Sequence, residues 1–169
     1  MHLLDALMTR RSIRKFTGEP VPEADVNTLL AAALRAPSAA DARPWQFATV
    51  RARKTLDTLA DRMPKCDMLR EATLALLVAA DPAREKIPGF WPQDCAAATQ
   101  NILLAAHGLG WGAVWIGLHP VAERVAAVRG ALGIPESIIP FALVAIGRAA
   151  EQPAPDDRWD PSRLHHERW

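Results

Sequence analysis

Cysteine is scarce in this 169-residue chain: there are two, Cys66 and Cys95, and they lie far apart. No CxxC pair exists, so neither a zinc site nor a thioredoxin-type redox pair is expected. Two isolated thiols read as reduced, buried side chains. Net charge is also nearly absent, with 20 basic residues against 19 acidic ones. Proteins that grip nucleic acid or an anionic membrane through their overall field carry a clear excess of positive charge, so neither partner is expected. No apolar run approaches the roughly 20 residues of a membrane span. Residues 1–16 lack the order of charge, apolar stretch and cleavage site that marks a signal peptide. A cytoplasmic protein is expected. GxSxG, HExxH and phosphate-loop motifs are missing, which leaves hydrolase and kinase readings without support. There is no internal repeat and no low-complexity tract.

What is present is a 50% hydrophobic composition, enough to bury one real core. Leu3, Leu4, Leu7 and Met8 stand at helical spacing and predict a short amphipathic helix. A second helix opens at Pro22, with Val26, Leu29, Leu30 and Leu34 as its buried face, and ends before Pro37. Short strands are expected at 47–50 and 113–117, and continuous apolar strands at 72–80 and 138–146. Pro140 would place an edge or a bulge at the start of the last one. Residues 55–62 and 121–132 read as helices, and residues 81–92 as a loop. Residues 94–108 form a helix that is apolar nearly all round, so its Gln100 and Asn101 need partners. Helices and strands mix without βαβ alternation, which indicates an α+β fold. The polar stretch 151–169 carries Trp159 and Trp169, aromatics that a disordered tail seldom has. It reads as an extended arm packed on something, a second subunit being a natural candidate.

Four segments could carry chemistry. Arg10, Arg11, Ser12, Arg14 and Lys15 form a basic cluster whose forked donors and hydroxyl suit phosphate oxygens. Taken alone, the cluster reads first as a solvated helix end. Residues 36–45 form a rigid loop of small residues that would let backbone amides approach a flat ligand, or simply connect a helix to a strand. Gly108, Gly110 and Gly112 imitate a dinucleotide fingerprint, but they follow a helix and precede a strand, the reverse of what that fingerprint requires. A helix C-cap and a tight turn fit better. His165 and His166 are adjacent and point apart, so they make a poor metal pair, and His107 reads as a satisfied interior histidine.

Together the stretches RRSIRKF at 10–16, APSAADARPWQF at 36–47, DCAAATQNILLAAHGLGWGAVWIG at 94–117 and DRWDPSRLHHERW at 157–169 resemble the nitroreductase family of FMN-dependent NAD(P)H oxidoreductases, in order and over nearly the whole chain. The resemblance implies an α+β fold with a central, mainly antiparallel sheet flanked by helices, and a homodimer that exchanges its C-terminal arm. Residues 1–150 would be the FMN-binding core and residues 151–169 the arm of the same domain. It implies that Arg10, Arg11, Ser12 and Arg14 hold the flavin, with Arg10 by the phosphate and Arg14 by the pyrimidine ring as tuner of the reduced flavin. Pro37, Ser38, Ala39 and Asp41 would come from the partner chain, the backbone at Ile116 and Gly117 would face N5, and Arg148 and Arg158 would lie near the phosphate. Hydride would pass from NAD(P)H through flavin N5 to a small-molecule electron acceptor such as a nitroaromatic or a quinone. A flavin-binding sensor or storage protein with little turnover is the alternative, and no metal is implied. Family members commonly carry Asn and Gln where this chain has Asp41 and Arg43; a pairing of these two would cancel most of the carboxylate's charge. With little room for an inserted lid, the loop at 81–92 is the candidate cover for the pocket.

Overall fold

Leu74, Leu76, Val78 and Ala80 face one side of their strand, Ala75, Leu77 and Ala79 face the other, and all seven are buried. A strand apolar on both faces must be covered on both, and that requirement organises the chain. The computed structural model describes residues 2–154 and 156–169. Its elements run α1 (Leu3–Thr9), α2 (Glu23–Ala33), β1 (Trp45–Val50), α3 (Arg53–Arg62), β2 (Leu74–Ala80), α4 (Trp91–Gly108), β3 (Gly112–Gly117), α5 (Ala122–Leu132) and β4 (Ile139–Gly147). The four strands form one antiparallel sheet in the order β1-β2-β4-β3. One core packs α2 and α4 on Leu76, Val144 and Ile146; the other packs α3 and α5 on Leu77, Leu143 and Ala145. This is the expected α+β architecture with its antiparallel sheet flanked by helices.

The helices carry few polar groups inward, and those groups tie elements together. Asn101 Nδ2 donates to the Ala32 carbonyl at 3.0 Å, linking α4 to α2. Trp111 Nε1 donates to Asp25 Oδ2 at 2.7 Å, linking α2 to the start of β3. Gln100 is only half-buried, and its side chain makes no hydrogen bond among the described residues. Cys66 and Cys95 are free and buried. Burial first, and then Asp94, push the Cys95 thiol up to about 12, so it is no nucleophile at neutral pH. No helix among the described residues is long and apolar enough to cross a membrane.

Several element boundaries differ from the sequence reading. Trp91 and Pro92 belong to the first turn of α4 rather than to a loop. Proline is tolerated there because it has no amide to lose, and Glu85 Oε1 accepts the Trp91 amide at 2.7 Å. Leu34 lies past the last turn of α2 and is 56% exposed, not buried. The leucines of α1 also face outward: Leu4 is 64% exposed, and Ala6 is the buried residue of that helix. Pro140 does sit beside a bulge, since Val78 pairs with Ala142 and Ala79 with Pro140, leaving Phe141 unpaired. The bulge re-aims the Phe141 carbonyl, which accepts from both Leu118 and His119.

Leu143 is fully buried on the central strand β4. Leu143→Ala is expected to cost about 2–5 kcal/mol of stability, read as a lower midpoint in urea unfolding at unchanged slope.

Candidate functional site

The basic cluster is not helical. α1 stops at Thr9, and the Arg10 backbone turns to φ −57°, ψ 126°. Ser12 then bridges Ala113 in parallel and Phe16 bridges Ala149. The Ile13 amide donates to the Ala113 carbonyl at 3.0 Å, and the Thr17 amide to the Arg148 carbonyl at 3.0 Å. This extended segment lies against two glycines. A Cβ on Gly112 would stand 2.8 Å from Ile13 Cγ2, and one on Gly147 would stand 3.0 Å from the Phe16 ring. Side chains alternate along such a segment. Arg11 and Ile13 therefore line a cavity of about 910 Å³ between α1, the end of α4, residues 149–154 and Asp156, whereas Arg10, Ser12 and Arg14 do not.

Charge is unbalanced at the start of this segment. Arg158 and Arg11 both reach the Asp156 carboxylate, at 2.7 and 3.9 Å, while Arg10 lies close enough to both arginines to be repelled by them and has no carboxylate of its own among the described residues. Burial, helped by repulsion from Arg158 and then Arg11, pulls the Arg10 guanidinium below its ordinary value. Arg11 donates to the Ala154 carbonyl at 2.5 Å, and Arg158 to Asp156 at 2.7 Å. Arg10 and Arg14 have no side-chain partner among the described residues. Arg148 is fully engaged: it forks onto Glu19 at 2.8 and 3.0 Å and lies 4.3 Å over the Trp111 ring. His107 is half-buried and bonds Thr9 at 2.8 Å; burial, and then Arg10, lower its pKa.

Beside this cluster runs the free edge of the sheet. The Ala113 carbonyl points outward to Ile13, and main-chain groups alternate in direction along a strand. The amides of Trp115 and Gly117 therefore point outward too, and neither has a partner among the described residues. Gly110 takes φ 84°, with Trp111 N donating to Ala106 O and Gly110 N to His107 O. This is a Schellman cap, not a phosphate-binding turn.

The loop at residues 37–43 lies elsewhere. The Ala39 amide donates at 2.9 Å to Asp94, near the start of α4, while Thr9 meets His107 near its end. Thirteen residues of helix place about 20 Å between those points. One chain thus gathers Arg10, Arg11, Ser12 and Arg158 at one end of α4 and leaves Pro37, Ser38, Ala39 and Asp41 at the other. Within the loop Arg43 forks onto Asp41 at 2.6 and 2.9 Å, which is the expected pairing. Ala40, Asp41 and Arg43 all adopt left-handed φ near +50°. That conformation costs on the order of 1 kcal/mol or more per residue. Ser38 Oγ accepting from the Arg43 amide, and Lys86 Nζ donating to the Ala40 and Asp41 carbonyls, hold the loop in place.

The model of the nitroreductase family matches residues 7–66 and 60–148. The chain belongs to the nitroreductase family. Its class, a nitroreductase-like oxidoreductase, follows from that membership. A Methanothermobacter thermautotrophicus protein named as an NADH dehydrogenase/NAD(P)H nitroreductase is 48% identical over the whole chain and 88% of its own length. A crystal structure under the same name from Parabacteroides distasonis superposes with a TM-score of 0.95 at 36% identity, over 99% of this chain and 98% of that one. A Desulfovibrio desulfuricans nitroreductase solved in complex with FMN gives a TM-score of 0.89 at 32% identity, over 100% and 98%.

Sequence reasoning missed Asp94, Lys86, Glu151 and Arg124 as residues that hold this region. Glu151 Oε1 accepts the Arg14 amide at 2.5 Å and the Lys15 amide at 3.2 Å, a contact between residues 137 apart that no local pattern reveals. Asp94 offered one signal, a carboxylate opening an otherwise apolar helix.

Gly112→Ala is expected to push the 12–16 segment off the sheet and to cost about 1–3 kcal/mol, measured by urea unfolding.

Proposed function

We propose that the chain is an FMN-dependent NAD(P)H oxidoreductase that works as a homodimer and reduces small oxidised acceptors such as nitroaromatics or quinones. The observation that carries this reading is the excess of guanidinium charge at Arg10, Arg11 and Arg158, set at the head of a free strand edge. A half-buried Arg10 repelled by Arg158 and Arg11 calls for an anion, and a phosphate with its forked acceptors fits. Outward amides at Trp115 and Gly117 suit the acceptor atoms of a flat heteroaromatic ring. When bound, the flavin supplies the hydride chemistry, so the chain needs no nucleophile or general base of its own.

In this reading Arg10 and Arg158 hold the phosphate, with Ser12 adding a hydroxyl donor. Arg11 keeps Asp156, and through it Arg158, in place. Arg14 brings positive charge to the pyrimidine side, where reduction builds negative charge. Arg148 contributes by fixing Trp111 and Glu19 beneath the cluster. Pro37, Ser38, Ala39 and Asp41 reach the site of a second copy, and the Arg43 fork offsets the Asp41 carboxylate. The 81–90 stretch, tied to that loop by Lys86, is the candidate cover over the pocket.

A second copy is the occupant that the exposed apolar surfaces fit. The leucine face of α1 is uncovered, and on the 151–169 arm Trp159 is 74% exposed. An arm exchanged between subunits would bury these tryptophans and bring the two ends of α4 from different chains together. Apolar faces of this kind are ordinary for an obligate interface and unusual on a monomer.

Purified protein supplied with FMN should show a bound-flavin spectrum and oxidise NAD(P)H when menadione or nitrofurazone is added. Absence of that spectrum would sink the proposal. Arg10→Gln should weaken FMN binding about 10- to 100-fold, the worth of a charge-assisted hydrogen bond to phosphate. Light scattering should give a particle of two chains, and Leu4→Glu with Leu7→Glu should yield monomer that has lost flavin.

A further inference from the structure

Arg124 occupies an unfavourable place. It sits in the first turn of α5, where the helix dipole repels a cation. It is half-buried, and no carboxylate lies within ion-pair distance among the described residues. Its one hydrogen bond runs from Nη1 to the Gly117 carbonyl at 2.9 Å. Its charge is felt inside the protein: it opposes the effect of burial, which pushes the Cys66 thiol up. A surface arginine of ordinary stability value would point to water or take a carboxylate. This one is held against the last residue of β3, the strand whose outer edge carries the free Trp115 and Gly117 amides.

We propose that Arg124 is a positioning residue that raises the reduction potential of the flavin, by pinning the Gly117 carbonyl and placing a permanent positive charge at the N5-facing end of β3. The inference rests on the flavin reading given above. The Leu118 and His119 amides already tie the chain beyond Gly117 to Phe141, and the Arg124 bond adds a fixed direction for the Gly117 carbonyl itself. The charge would favour the form of the ring that carries the added electrons, because a cation in a partly dry setting is weakly screened. An arginine stays protonated at all working pH, so the effect is independent of pH.

The test is redox-dye equilibration of the FMN-loaded protein between pH 6 and 8, with bound flavin quantified first. Arg124→Gln keeps a donor for the Gly117 carbonyl and removes the charge. It should lower the equilibrium constant for two-electron reduction about tenfold, or about 30 mV, by the same offset at every pH. Arg124→Lys keeps the charge and should stay within twofold of the parent. Lys54→Gln, an exposed loss of charge on α3, should also stay within twofold. A potential for Arg124→Gln within twofold of the parent would overturn the proposal, as would a tenfold fall in Arg124→Lys. If Arg124→Gln fails to fold, Arg124→Met, which also removes the charge, decides in its place: a tenfold fall supports the proposal and a potential within twofold of the parent overturns it. A parent protein that takes up no FMN refutes the flavin reading instead, and the spectrum shows which has failed.

Discussion

Everything at the site depends on the close seating of one extended segment, residues 12–16, on the ends of β3 and β4. Phe16 is buried against Gly147, and Ile13 meets Gly112 at a distance that leaves no room for a methyl group. That contact closes the second core, ends α1, and turns Arg10, Ser12 and Arg14 to the side opposite Arg11 and Ile13. It also uses only the beginning of the β3 edge, so the remainder of that edge stays available. The packing requirement and the placing of the cations are one and the same constraint.

The electrostatics follow from it. Folding draws Arg10 partly out of water beside Arg158 and Arg11, and Asp156 pairs with those two rather than with Arg10. A stable fold tolerates such a cost at few places, and a binding site for an anion is one of them. Elsewhere the same chain pairs its charges locally, as Arg70 does with Asp61 and Arg163 with Asp160.

Much of the fold was legible in advance because its signals are local. The apolar runs marked β2 and β4, Pro140 announced a bulge, and the order of helix, glycines and strand ruled out a dinucleotide turn. The helix boundaries were less legible: nothing in the pattern of residues 91–93 shows that Glu85 would accept the Trp91 amide and let α4 begin early. The outward face of α1 could not be foreseen, since a short leucine-rich helix reads the same whether its partner is its own core or a second chain. Site residues belonging to recognisable stretches were found, while those acting across long separations, Glu151 and Lys86, carry no motif. The fork of Arg148 onto Glu19 and its place over Trp111 were not legible either, because both partners converge on it only in space.

α4 touches both halves of the candidate site, through Asp94 at one end and His107 at the other. It therefore acts as a ruler. Each residue added to it would advance its far end by about 1.5 Å and rotate that end by about 100°, so the loop and the arginine cluster would lose their common register. Length drift among related chains has to be absorbed elsewhere, and the 81–90 stretch that precedes α4 is where the architecture leaves slack.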